Sequence, residues 1–208
     1  MVCIKESRMF AHSMICLLIA STFALAEPTT QPAKPKADER QVQDEKYGYT
    51  FNAPKIWKEV PQPGKRSIHI FQIPAPDAYA KALSSWIVLV EDKPENADIQ
   101  KVADHMRETI VKQNKDAKIV SEGPATIIGQ DGYEFVYTTR LKVNITNKVG
   151  KQDKQETEYV PAKVRCSLFF AGQALYQFVL TSDEKGFDVR AKQAQRVVES
   201  FVPGGDEK

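Results

Sequence analysis

The chain has 208 residues, and its 29 Lys+Arg against 27 Asp+Glu leave a formal net charge of only +2. That balance excludes an overall electrostatic drive toward nucleic acid, which needs a strong basic excess or a concentrated basic stripe. With 42% hydrophobic and 27% charged residues, the composition is that of a globular protein and not of a disordered one.

Residues 15–26 read ICLLIASTFALA, preceded by Lys5 and Arg8 and followed by Glu27-Pro28. A basic start, a short apolar stretch and small residues at Ala24 and Ala26 predict a secretory signal peptide, residues 1–26, cleaved after Ala26. A membrane-spanning helix needs about 20 apolar residues, more than this run supplies. Removal of the leader takes away Lys5, Glu6, Arg8, Cys3 and Cys16, leaving a net charge of +1 and Cys166 alone. An exported chain with one cysteine has no intrachain disulfide and must be stabilised by a core. Lipoprotein processing requires a small residue directly before the modified cysteine, so Ile15 argues against a lipid on Cys16. No second long apolar run follows, and the processed chain is expected to carry no transmembrane segment.

Residues 27–44 hold three prolines, mixed charges and Val42 as the one large aliphatic side chain. Such a stretch buries little apolar surface, so it is expected to be a flexible linker. One folded domain is then expected over 45–203, followed by a polar tail at 204–208.

Tyr47, Tyr49 and Phe51 alternate and meet Pro54, which predicts a first strand ended by a turn. Pro61-Gln62-Pro63-Gly64 reads as a second turn. The runs 68–73 and 86–90 are rich in Ile, Val and aromatic residues and predict strands, the first with apolar residues on both faces. The stretch between them is a loop or a short helix. Asp98 suits an N-cap, and Ile99, Val102, Ala103, Met106 and Ile110 recur at helical spacing, predicting a helix over about 98–114. Ile119-Val120 and residues 126–128 predict strands around Gly123-Pro124, with a turn at Gln130-Asp131-Gly132. Tyr133, Phe135, Tyr137, Thr139, Leu141, Val143 and Ile145 then alternate without interruption, the strongest strand signal in the chain. Residues 147–155 read as a polar turn. The return strand places Val160, Ala162, Val164, Cys166, Leu168 and Phe170 on one face. Ala171-Gly172-Gln173 turns into a last strand at 175–181, and a final helix spans about 187–201. Strands joined by short turns pair antiparallel, so the fold class is α+β, with helices packed on an antiparallel sheet bearing a long hairpin.

Few residues suggest chemistry. His69 falls on a strand and His105 on a helix among charged neighbours, and neither has the partners of a ligand set or catalytic pair. A weak surface metal site through His69 is the one metal reading, tested by metal analysis of purified protein. Neither HExxH, paired CxxC, a calcium loop, GxSxG, a Walker loop nor GxGxxG occurs. No catalytic, cofactor-binding or metal residue is therefore assigned, and no cofactor is expected. Cys166, in register with Val164 and Leu168, reads as a core residue. Glu91-Asp92 and Glu156/Glu158 sit at strand ends or turns, where charge solvates an edge. Asn144-Ile145-Thr146 fits a glycosylation sequon but lies within a strand. The hairpin tip, with Lys148, Lys151, Lys154, Asp153 and Glu156, is balanced in charge and reads as a solvated turn or a partner-contact arm.

Three segments carry a resemblance. Tyr49-Thr50-Phe51-Asn52-Ala53-Pro54-Lys55-Ile56-Trp57, Ile128-Gly129-Gln130-Asp131-Gly132-Tyr133-Glu134-Phe135 and the closing Val197-Val198-Glu199-Ser200-Phe201 resemble, in order and spacing, motifs of the PsbP-like family. The resemblance covers nearly all of 47–203 and implies an αβα sandwich around an antiparallel sheet. That family includes extrinsic lumenal subunits of photosystem II, bacterial envelope proteins and a nuclear-transport factor that binds a small GTPase, mostly binding or assembly factors. The resemblance and the leader together lead to the expectation of a non-catalytic secreted or periplasmic protein with an envelope or extracellular protein as partner. The alternative is a small-molecule carrier or enzyme using a pocket between sheet and helix. Fold alone does not choose between them.

Overall fold

The structure, a computed structural model, describes residues 34–62, 67–76, 78–149 and 152–204. The expected leader at 1–26, the Pro63-Gly64 half of a predicted turn and residues 205–208 of the tail lie outside the described residues. The elements are β1 (Glu39–Gln43), β2 (Thr50–Pro54), β3 (Lys58–Val60), β4 (Ser67–Gln72), α1 (Ala78–Leu83), β5 (Ser85–Asp92), α2 (Ile99–Gln113), β6 (Lys118–Ile127), β7 (Gln130–Val149), β8 (Gln152–Ala171), β9 (Ala174–Asp183) and α3 (Phe187–Glu199). Seven strands form one antiparallel sheet in the order β3-β4-β5-β9-β8-β7-β6, and β1 and β2 form a separate antiparallel pair. The class is α+β, as the alternation and turn spacing predict.

Alternation along each strand divides the sheet into two faces. One face carries Phe71, Trp86, Val88, Val90, Phe169, Tyr176, Phe178 and Leu180, covered by the β1–β2 pair and by α3 through Phe187, Ala191, Ala194 and Val197. Phe201 sits at the centre of this layer, 5.2 Å from the Tyr49 ring and 4.9 Å from that of Phe178. Two backbone hydrogen bonds between Thr50 and Val202, 2.9 and 2.8 Å, tie the chain end to β2. The opposite face buries Tyr133, Phe135, Cys166 and Leu168 under Ala103 and Ile110 of α2. The Asp98 side chain caps this helix by accepting from the Gln100 N–H at 2.8 Å, satisfying one of its orphan donors. On the same face, Leu83 of α1 packs with Val143 and Ala162.

Five segments differ from expectation. Residues 39–43, inside the predicted linker, pair with β2 and bury Val42; backbone pairing supplies what the polar sequence lacks in apolar surface. The predicted strand at 47–51 is shifted to Thr50–Pro54, because Asp44 accepts from the Lys46 and Tyr47 N–H groups and folds 44–47 into a turn. The turn placed at 130–132 falls at Ile128-Gly129, both with positive φ (48° and 81°). Gly132 lies within β7, where a Cβ would come 2.4 Å from the Leu168 carbonyl oxygen, so its glycine serves close strand approach. The polar stretch 147–155 is mostly strand: β7 runs to Val149 and β8 starts at Gln152, with residues 150–151 of that predicted turn outside the described residues. Residues 118–127, read as two strands, form one strand with a register shift between Ile119 and Ser121; its place at the sheet edge lets it run through Gly123-Pro124.

Candidate functional site

Two features stand apart from the core: a polar cluster under the β1–β2 pair and the free end of the β7–β8 hairpin. The cluster begins with Asp44, whose Oδ1 accepts from two backbone N–H groups of the β1–β2 turn. Its Oδ2 accepts from the Ser67 hydroxyl, and the Tyr49 hydroxyl stands 3.0 Å from Ser67 Oγ. Burial, foremost, pushes the Tyr49 phenol well above its ordinary value. His69 lies between two carboxylates, with Nδ1 2.9 Å from Glu59 Oε1 and Nε2 3.6 Å from Asp44 Oδ2. Its ring also lies in edge contact with those of Tyr49 and Phe51. Arg40 completes the group, 3.5 Å from Glu59 Oε2.

The chemistry of this arrangement is a clamp. Nucleophile activation needs the imidazole to receive the serine proton, whereas the Ser67 proton goes to Asp44. The cluster joins β1, β2, β3 and β4 through side chains drawn from four separate segments, which sequence spacing could not assemble. Among the described residues, no group of three His, Cys, Asp or Glu side chains is placed to hold a metal ion.

The other singled-out residues are scattered. His105 is exposed on α2, remote from the His69 cluster in the element order. Cys166 is buried in β8 opposite Phe135 and Val179, and burial pushes its thiol up to about 12. Asp92 accepts a 3.0 Å hydrogen bond from the Tyr47 hydroxyl. The side chains of the sequon and of the hairpin tip lie outside the described ones.

The hairpin is the second feature. β6 leaves β7 at the pair Lys118↔Thr138, and β9 leaves β8 at Ala162↔Asp183. Beyond them, among the described residues, β7 and β8 form ladder pairs only with each other, as far as Val149↔Gln152. Residues 139–149 thus run about 35 Å as one side of a two-stranded ribbon, at about 3.3 Å per residue. Leu83, Val143 and Ala162, with Leu141 and Val160 beside them, brace its base. The register puts exposed Arg140, Lys142, Tyr159 and Pro161 on the α3 face, above Lys163, whose ammonium stands 4.6 Å from the Phe187 ring centre. Further down, Arg165 is engaged by Glu134 at 3.7 Å. Among the described residues no ion pair reaches Arg140, Lys142 or Lys163.

The PsbP family model matches residues 37–202. The structure is similar to that of cyanobacterial PsbP from Synechocystis sp. PCC 6803, with 19% identity, 81% of this chain and 94% of that one covered, and a TM-score of 0.51. It is also similar to a Pseudomonas aeruginosa protein of unknown function, with 14% identity, 80% and 98% covered, and a TM-score of 0.54. At these identities the likeness is one of fold. No curated protein matches the sequence.

Proposed function

The chain belongs to the PsbP family, and on that premise we propose that it is a non-catalytic binding or assembly protein, exported by its leader and working on a protein partner in the cell envelope or outside the cell. One observation carries this reading: the β7–β8 ribbon extends past every neighbouring strand. A free two-stranded ribbon is marginally stable in water, and a contact with another molecule gives it a use. The polar cluster, in turn, is taken up in holding β1 and β2 to the sheet.

Export rests on the leader sequence, residues 1–26. No helix among the described residues is long and apolar enough to cross a membrane. Expressed with its leader, the protein is expected in the extracytoplasmic fraction with Glu27 as its first residue. Cytosolic retention of the uncleaved chain would refute export. Cross-linking in intact cells should return the same protein partner across growth states, and a consistent absence of any would refute the binding role.

A second reading, a small-molecule carrier, is favoured by the strip Ile68, Ile70, Ile87 and Leu89. These residues are half-buried on the α2 face of β4 and β5, while α2 itself packs on β7 and β8. Native mass spectrometry of protein purified from its own cells separates the two readings, since a carrier retains a bound molecule of constant mass.

A further inference from the structure

The ribbon has two open edges, and they are not equivalent. Along the β8 edge, Pro161 stands one residue beyond the last pair with β9. A proline in a ladder is tolerated where its nitrogen points away from the paired strand, so this edge lacks a donor where an added strand would begin. The β7 edge has no proline from 139 to 149, and Thr, Val and Ile make up five of those eleven residues. Alternate residues there direct their N–H and C=O groups away from β8, and β6 has already left. The same stretch carries no carboxylate; of its three cations Lys148 is set opposite Asp153 of β8, which leaves Arg140 and Lys142. Arg140 and Lys142 are exposed, side by side on one face, with Arg140 also donating to the Tyr159 carbonyl of β8 at 3.1 Å.

Charge selects the occupant. A second copy adding its own β7 edge would set cation against cation, and like charges directly opposed across strands destabilise pairing. An acidic strand places carboxylates beside Arg140 and Lys142 while its backbone takes up the free ladder groups. We infer that the β7 edge over residues 139–149 accepts an extended acidic segment of a partner protein as an added strand, with backbone pairing giving affinity and Arg140 and Lys142 giving selectivity. This deepens the binding role proposed above and rests on it.

The test titrates the full chain with a synthetic peptide about ten residues long alternating Glu with Thr, the length that spans the edge. Hydrogen exchange should slow by about tenfold or more for amides of 139–149, with β5 and β9 unchanged. Reversing both charges (R140E/K142E) should weaken binding by about tenfold or more, and R140Q/K142Q should fall between. The melting temperature of each variant checks that the fold is intact, as exposed side chains predict. Unchanged exchange in 139–149, equal binding of a Lys–Thr peptide, or undiminished binding by the reversed variant would overturn the inference. So would binding to phosphatidylglycerol vesicles through Arg140 and Lys142 with no response to the peptide, which would make the arm a membrane contact. Cross-linking in cells separates the two levels: a partner captured equally by wild type and R140E/K142E leaves the binding role standing and removes the arm from it.

Discussion

Cys166 sits in the ladder between Phe135 and Val179, and burial pushes its thiol from 9.0 up to about 12. The sequence marked it as core by its alternation with Val164 and Leu168, one of the few side chains whose state could be read directly. At pH 8 a thiol held near 12 is ionised on the order of once in ten thousand, against about a tenth for one at 9.0. Thiol reagents should therefore label the native protein orders of magnitude more slowly than the denatured one, and fast native labelling would contradict the burial. The same shift sets a pH dependence. Raised folded values mean that the native state keeps protons the unfolded state releases, so stability is full below about 9 and declines as pH rises toward 12. Tyr137, pushed from 10.0 up to about 12 chiefly by burial, adds to the decline in its upper part. Urea midpoints between pH 8 and 11 should fall, and Cys166→Ala should flatten the first part of that fall. Arg190 had no such signature. It is buried at the start of α3, 2.9 Å from Asp183 and 3.0 Å from Ser182, on a buried helix face shared with Phe187, Ala194 and Val197. Arg190→Met leaves Asp183 without its cation and should cost about 3 kcal/mol in urea unfolding, the scale for breaking a buried pair.

At the scale of elements, what the sequence showed depended on whether an element is held by apolar side chains or by its backbone. α2 was legible because its stripe and its cap agree, and β7 because seven aromatic, aliphatic or β-branched residues alternate in its sequence. β1 was not, since Val42 is its one buried side chain; its place is fixed by pairing with β2 and by Asp44. The outer part of the ribbon reads as a turn for the same reason: residues 147–155 are mostly polar, and a ladder between two polar strands leaves no periodic mark. The ribbon's brace was equally hidden, because Leu83 meets Val143 and Ala162 only through topology. Leu83→Ala removes that brace and should cost about 2–3 kcal/mol. Amides of 139–149 should then exchange faster while those of β5 and β9 keep their protection. Equal loosening of all three would mean that the ribbon and the sheet open as one unit.

For the whole molecule, the question left by the sequence is where the domain begins. A start at 45, placed by composition, omits β1 and Asp44, yet Asp44 binds the β1–β2 turn and Ser67 and stands beside His69. The layer beneath is the most aromatic part of the protein, with Tyr49, Phe51, Trp57, Phe71 and Trp86 nearly free of solvent. Removing β1 uncovers its edge and strips β2 of the strand it pairs with, and β2 would then be held by α3 and the Thr50–Val202 bonds. Losing a clamp hydrogen-bonded to charge, at about 1.5–3 kcal/mol, together with the burial of Val42, at about 1.5–3 kcal/mol, gives about 3–6 kcal/mol. A chain begun at residue 45 should therefore melt about 10 °C or more below one begun at 34, by the usual few degrees per kcal/mol for a domain of this size. It should also bind a dye that reports exposed apolar surface. Asp44→Asn in the longer chain should reproduce part of the loss, since it weakens the acceptor of the Ser67 and turn hydrogen bonds and keeps β1. Equal melting of the two chains would put the fold's true edge after β1 and make Asp44 a surface residue in effect.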